Sequence, residues 1–451
     1  SASHTDKLKL FIRDKLLEYI EYDEKYLHFK SIASEVRHNG VISFDKIQSA
    51  LTYAQGHSLP DESGTGANAR MYQEALSGMR YLWDLLDLST TDNMALHIGA
   101  YVSRCEELLF EAELQGQDAS SMPVAPAFDP RQALIDTLIL HLGVTLCDEQ
   151  GNPDPQVLFS LNSTAENPAR SGESSAVILT DTDGLYRIEI QPCESLLGNT
   201  NHLILLLENL IKNAQFFATK RKYKSPFAPI SVRLWEARQC LCMTIYNRGP
   251  HIDYETKDQI FKLGFSTRRV QEHHGKGLGL YFAQQITQGF DGDIGFDNIA
   301  NQPGQYHLRL QLASGAVQNM NVDIVCDDNE APLVLISGDS HVPQKSVDIE
   351  LSSTLINIEL HMTGDQQVYR FDIDGERKTL FDPADPSHPQ WMIKVSRRKA
   401  DQLTFTPLDI RGVQFSVRLP TLSGRIDGVS ASAGAPQLDE LDAGFRSPDD
   451  F

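Results

Sequence analysis

The stretch ENLIKNAQFFA (208–218) decides the reading of this chain. Two segments downstream are weighed with it: TIYNRGPHI (244–252) and IFKLGFSTRR…GKGLGLYFAQQI (260–286). In the first, helical spacing puts Asn209 and Asn213 on one face. Carboxamide oxygens there suit a hard cation that also meets phosphates, such as magnesium. Two exposed asparagines on an amphipathic helix have the same pattern. In the second, a strand runs into Asn247-Arg248-Gly249-Pro250, which is turn chemistry. A side-chain oxygen at a strand end can accept a hydrogen bond from an adenine amino group; a plain strand-to-loop turn is the simpler alternative. In the third, Gly275, Gly277 and Gly279, with Leu278 among them, open an apolar-periodic helix. Backbone N–H groups at such a start can approach a triphosphate, and the helix dipole favours the anion. These glycines follow a polar, basic loop (Arg268, Arg269, His273, His274, Lys276) and not a strand. They therefore read as part of a lid and not as a dinucleotide fingerprint.

Around this centre the chain divides into four parts, an α+β multidomain organisation. Residues 1–117 read as helical. Tyr22, Tyr26, Phe29, Ala33 and Val36 recur at alternating gaps of four and three, a coiled-coil seam. After a Gly- and Ser-rich loop (56–68), a second helix carries Leu76, Met79, Leu82, Trp83, Leu86, Ile98, Val102, Cys105 and Leu109. A helical hairpin has a thin core, and two copies complete a four-helix bundle, so a homodimer is expected. Residues 126–315 alternate helix and strand patterns, as in an α/β sandwich. Residues 316–425 hold period-two strands and form either an insertion before the true closing strand or a separate, mainly-β module, which is favoured. Residues 426–451 are acidic and rich in small residues, and are expected to be disordered.

A length of 451 residues fits about three domains. Acids outnumber bases by 61 to 40, a net charge of −21, which argues against nucleic-acid binding through bulk charge. No apolar run is long enough to span a membrane, and the opening SASHTDKLKL lacks a signal core. Of six cysteines only Cys240 and Cys242 are close, as C-x-C sharing one strand face. Reduced thiols in a cytoplasmic setting are expected.

In order and spacing, the three segments resemble the ATP-binding domain of sensor histidine kinases, within the GHKL ATPase superfamily. The resemblance implies an α/β sandwich holding ATP and Mg2+ beneath a lid. By it, Asn213 is the main magnesium ligand and Asn209 a second polar contact near the metal. Asn247 stands where the family most often has an adenine-binding Asp, followed by Gly249. Phe261, Phe265, Ser266 and Thr267 match the box that anchors the lid. Gly275, Gly277, Leu278 and Gly279 lie beside the phosphates, with Arg268 and Lys276 as lid cations. YLWDLLDLS (81–89) is similar to the second helix of the family's dimerisation and phosphoacceptor domain.

Two registers compete for the acceptor. In one it is His38, off the seam, with Asn39 where the family usually has an acid and Glu35 standing in as base. In the other, SEVR (34–37) matches the family's H-E-L-R with Ser34 in place of the histidine, and the usual site is degenerate. The implied function is ATP-dependent autophosphorylation on histidine and transfer to a response-regulator receiver aspartate, with phosphatase action on the same partner. One alternative is a degenerate kinase serving as an ATP-binding scaffold for a partner kinase. Another is a chaperone-like or DNA-repair-like ATPase, disfavoured by the helical hairpin. A sensor segment, and any membrane attachment, would lie upstream, making this the cytoplasmic part of an inner-membrane sensor. VDIVCDDNE (322–330) reads as a strand ending in an acidic turn, because a receiver would need a helix before LVLIS. Both GQYHLRLQLA (304–313) and GVQFSVRLP (412–420) resemble the closing strand of the ATP domain. The first lies at the more usual distance and is favoured.

Overall fold

The computed structural model describes residues 93–115, 126–148, 176–219, 227–257, 259–263, 265, 278–337, 342–364, 368–373, 379–381, 389–395 and 401–429. In chain order the first half comprises α1 (Met94–Gln115), β1 (Ala127–Phe128), α2 (Pro130–Asp136), β2 (Leu146–Cys147), β3 (Val177–Asp181), β4 (Tyr186–Ile190), β5 (Leu196–Leu197), α3 (Thr200–Thr219), β6 (Ile230–Ala237), β7 (Cys240–Arg248), α4 (Gly279–Gly289) and β8 (Asp293–Ile299). Then come β9 (Gly304–Leu312), β10 (Val317–Cys326), β11 (Pro332–Ile336), β12 (Val347–Glu350), β13 (Leu355–Met362), β14 (Val368–Asp372), β15 (Thr379–Phe381), β16 (Trp391–Val395) and β17 (Gln402–Pro407). The chain closes with β18 (Gly412–Pro420) and α5 (Leu422–Ile426).

A seven-stranded sheet in the order β2-β3-β4-β6-β7-β18-β8 forms the base of the α/β unit. Its one parallel pair, β4 with β6, is the pair joined across α3, as a crossover connection requires. Alternation places Tyr186, Ile188 and Ile190 of β4, and Ile230, Val232 and Leu234 of β6, in one core with Leu203, Leu206, Leu207, Leu210 and Ile211 of α3. Each such aliphatic side chain contributes on the order of 2 kcal/mol on leaving water. The opposite face of β6 and β7 holds a smaller cluster of Trp235, Cys240 and Cys242, so the C-x-C thiols share a face. α2 is capped by Asp129, whose carboxylate accepts the Arg131 N–H at 2.8 Å.

Strand pairing corrects the expected boundary at 315/316. Strand β9, favoured as the closing strand, pairs with β10 and β13 in a separate five-stranded sheet. The strand that enters the main sheet is β18, between β7 and β8. The reason lies in its pattern. Strand β18 is buried on both faces along most of its length, as a central strand must be, whereas β9 alternates buried and wet positions. Sheets β11-β10-β9-β13-β14 and β12-β17-β16-β15 share a core around Trp391, Tyr306 and Phe405. They are an insertion between β8 and β18, not a module that follows a finished domain. β10 and β11 return antiparallel through a turn in which Asp327 Oδ1 accepts from Asn329 N and Ala331 N, so 322–330 is a strand and an acidic turn.

Helix α1 also departs from expectation. The helical spacing places Ile98, Val102 and Cys105 in a hairpin core, yet they are buried in the core of the α/β unit. α1 lies close on α4, where a Cβ on Gly289 would stand 2.5 Å from Ile98 Cβ. The tail boundary shifts as well. Residues up to 429 belong to the fold, with α5 held by Glu194, which accepts from Ser423 N at 3.0 Å and Ser423 Oγ at 2.6 Å. Gln239 adds a hydrogen bond to Asp427 at 2.7 Å. The remaining expected hairpin before 93 and the tail beyond 429 lie outside the described residues.

Candidate functional site

The site is built along one face of α3. Asn209 and Asn213 share that face with Phe217, each partly buried. Asn209 Nδ2 donates to Leu205 O at 2.8 Å, one turn back, which leaves its carboxamide oxygen directed elsewhere. That oxygen lies where α4 begins: a Cβ on Gly279 would stand 3.0 Å from Asn209 Oδ1. At the other end of the face, Gly249 lies against Phe217, with its would-be Cβ 3.5 Å from Phe217 Cβ. Asn247, 3% exposed, sits two residues earlier at the end of β7. The face from Asn209 to Phe217 spans about 12 Å at 1.5 Å per residue. It runs from the α4 N-terminus, suited to phosphate, to the β7 end, suited to a base.

The closing strand makes the base end. Asn247 pairs with Ile230 on one side and Val413 on the other. Gly412 is required there, because a Cβ would come within 2.2 Å of Asn247 O. The following loop is fixed by Asn298, which accepts from Ile252 N at 2.9 Å and donates to Ile252 O at 2.7 Å. Phe261 packs edge-on to Phe415 of β18, centroids 6.4 Å apart, so the start of the expected lid is anchored on the closing strand. Phe265 joins the same core.

Beside Asn209, Glu208 makes an ion pair with Lys212 and lies 3.7 Å from His141. Burial pulls the His141 imidazole below its usual value against the carboxylates of Glu208 and Asp136, and the Lys212 charge pulls the same way as burial. Near Asn247, burial alone would raise the Asp409 carboxyl. Hydrogen bonds from Arg411 and Asn301, with the charge of Arg248, instead hold it well below the usual carboxylate range.

The structure brings Gly279 against Asn209, and Gly249 against Asn247 and Phe217; Asn213 lies on the same α3 face, and Phe261 and Leu278 pack on the same core. The lid residues Ser266, Thr267, Arg268, Gly275, Lys276 and Gly277 lie outside the described residues, as do His38, Glu35, Asn39 and Ser34. The sequence reading missed Asn298, Asn301, Asp409 and Gly412. Gly412 and Asp409 are remote in sequence from Asn247, and no local spacing signals the contact. The donor set fits magnesium and a nucleotide: two carboxamides on one helix face, a glycine helix start beside one of them, and a buried acceptor at the far end.

Residues 198–314 match the family described as histidine kinase-, DNA gyrase B-, and HSP90-like ATPase. The match ends just after β9, whereas the strand that closes the sheet lies beyond it. Sensor protein ChvG of Rhizobium meliloti (strain 1021) is 31% identical over 102 residues, 22% of this chain and 17% of that protein. Adaptive-response sensory kinase SasA of Rippkaea orientalis (strain PCC 8801 / RF-1) is 30% identical over 108 residues, 24% of this chain and 26% of that protein. The chain therefore spans about a sixth to a quarter of the length of these relatives. Among solved structures, the mycobacterial sensor histidine kinase MprB aligns over 40% of this chain and 95% of its own at 16% identity, with a TM-score of 0.23. The family match and the sensor-kinase relatives support reading residues 198–314 as a GHKL-type ATP-binding domain. Within that class they support the sensor histidine kinase kind.

Proposed function

We propose that this chain is the ATP-binding and phosphotransfer part of a dimeric two-component sensor histidine kinase working in the cytoplasm. The observation that carries the reading is the α3 face: Asn209 and Asn213 between a glycine helix start at Gly279 and the buried Asn247–Gly249 strand end. Asn213 and Asn209 would hold Mg2+, which when bound neutralises charge on the phosphates. Asn247 would accept the adenine amino hydrogen. The N-terminus of α4 and the lid cations Arg268 and Lys276 would supply local positive charge for the phosphates in a chain of net charge −21. This leaves positioning and charge neutralisation as the main sources of catalysis.

His38, in the expected hairpin outside the described residues, is the proposed acceptor. One imidazole nitrogen bonds to the γ-phosphorus while the bond to the ADP bridging oxygen breaks. The proton on the other nitrogen goes to Glu35, since Asn39 cannot take it. The phosphohistidine then donates to an aspartate of a response-regulator receiver. The test is incubation with γ-labelled ATP. Acid-labile, base-stable label that disappears in His38→Ala is expected. ATP binding without label under any condition overturns autophosphorylation in favour of the second reading, an ATP-binding scaffold for a partner kinase, which Asn39 and the Ser34 register motivate.

A further inference from the structure

The inserted sheets are rooted at the strand end that carries Asn247. Asn301 latches their two roots together: its Nδ2 donates to Asp409 Oδ1 at 2.9 Å, and its Oδ1 accepts from the Ile410 N–H at 2.9 Å. Asp409 receives both arms of Arg411 at 3.0 Å. It also pairs with Arg248 Nη2 at 3.3 Å. Arg248 is the neighbour of Asn247, and its guanidinium lies 5.7 Å from the centre of the Phe227 ring. The backbone repeats the connection, with Gly249 N donating to Arg411 O at 3.2 Å. From the insertion itself, the turn between β10 and β11 takes part: Asn329 O accepts from Arg411 Nη1 at 2.6 Å, and Glu330 O accepts from Asn301 Nδ2 at 2.8 Å. On the other side, His251 Nε2 lies 2.8 Å from Ile299 O. The segment 247–252 is therefore gripped between the two roots.

The Asn301–Ile410 hydrogen bond already joins the roots without the Asp409 charge. The Arg248–Asp409 pair reaches past them to the residue beside the base-reading position. We infer that Asp409, supported by Arg411 and Asn301, is a positioning residue that fixes the Asn247 carboxamide for adenine, so that the insertion helps set base specificity. The inference rests on the ATP reading proposed above. A hydrogen-bond acceptor discriminates only when it is held in place and cannot turn to suit another partner. Adenine offers an amino group where guanine offers an oxygen. Asn247 Nδ2 donates to Arg248 O at 3.4 Å, so the residue that Asp409 pairs with also holds the carboxamide; released from that partner, the carboxamide can turn its NH2 group to the guanine oxygen and lose the distinction.

The test uses the full chain with ATP and GTP as probes, their affinities measured by displacement of a fluorescent nucleotide and folding followed by thermal melting. Asp409→Asn keeps the shape and removes the charge that Arg248 and Arg411 meet. Its ATP affinity is expected to fall about tenfold while GTP affinity stays within about twofold, so selectivity collapses. Asp409→Glu should recover most of it. Should Asp409→Asn not fold, Arg411→Lys, which loses the two-armed contact but not the charge, serves the same measurement. Equal losses for both nucleotides, or none, in a chain whose wild type prefers ATP would overturn this inference alone. A wild type that binds no ATP overturns the ATP reading and this inference with it.

Discussion

Gly279 and Asn209 meet where α4 begins against α3. The absent side chain leaves the carboxamide oxygen open toward the α4 N-terminus. A methyl group there would stand 3.0 Å from Asn209 Oδ1, closer than such contacts normally settle. Gly279→Ala is therefore expected to turn the Asn209 carboxamide aside. Nucleotide affinity should drop severalfold, by about 1 kcal/mol, the net worth of one hydrogen bond. The melting temperature should move little, because alanine is the better helix former. Titration of a fluorescent nucleotide beside a melting curve checks it; unchanged affinity would remove Asn209 from the phosphate end. This part of the site was legible in the sequence, since spacing of four on a helix and glycines at a helix start are local signals.

The docking of α1 is an element-scale matter, and a histidine marks it. His202 of α3 is 4% exposed, edge-on to Tyr101 of α1 and to Phe290. Burial, with the nearby His97, lowers its imidazole from 6.5 to about 4. Between those two values the unfolded chain takes up a proton that the folded chain refuses, so stability falls as pH drops through that window. Melts at pH 5 and pH 7 should differ by on the order of 2 kcal/mol from this residue. His202→Gln should abolish that share; an equal pH dependence in the variant would show that another group is responsible. The amphipathic pattern of 94–115 was readable, but not its partner. Ile98, Val102 and Cys105 look the same whether they face a bundle or a domain. What chooses is a glycine elsewhere in the sequence, Gly289, which lets α1 come close.

For the whole molecule, the sheet order decides where a functional fragment can end. A chain stopped at 315, the boundary that sequence spacing favours, would lack β18 and leave the facing edges of β7 and β8 without their shared partner. Such a fragment is expected to be insoluble or molten, whereas a chain carried to 429 folds. Near-ultraviolet circular dichroism on the two would decide it, and a cooperatively melting 126–315 fragment would refute the topology. The closing strand was only half legible. GVQFSVRLP has the pattern of a closing strand, but GQYHLRLQLA has it too, and only pairing distinguishes them. The pairing of Asp409 with Arg248 gave no signal, because the return of the chain draws them together.

The position of β18 also bears on synthesis. The strand that completes the sheet is among the last described segments to leave the ribosome, and it belongs in the interior of the sheet rather than at its rim. Until it arrives, β7 and β8 present open backbone to any neighbouring chain. If the intervening residues were slack, closing a loop of roughly a hundred residues instead of five would cost about 3 kcal/mol more. Folded first, the inserted sheets bring Asn301 and Ile410 within hydrogen-bonding distance, and most of that entropy has been spent before β18 must find its place. The insertion would then act as an assembly jig, presenting its last strand to a gap already waiting for it.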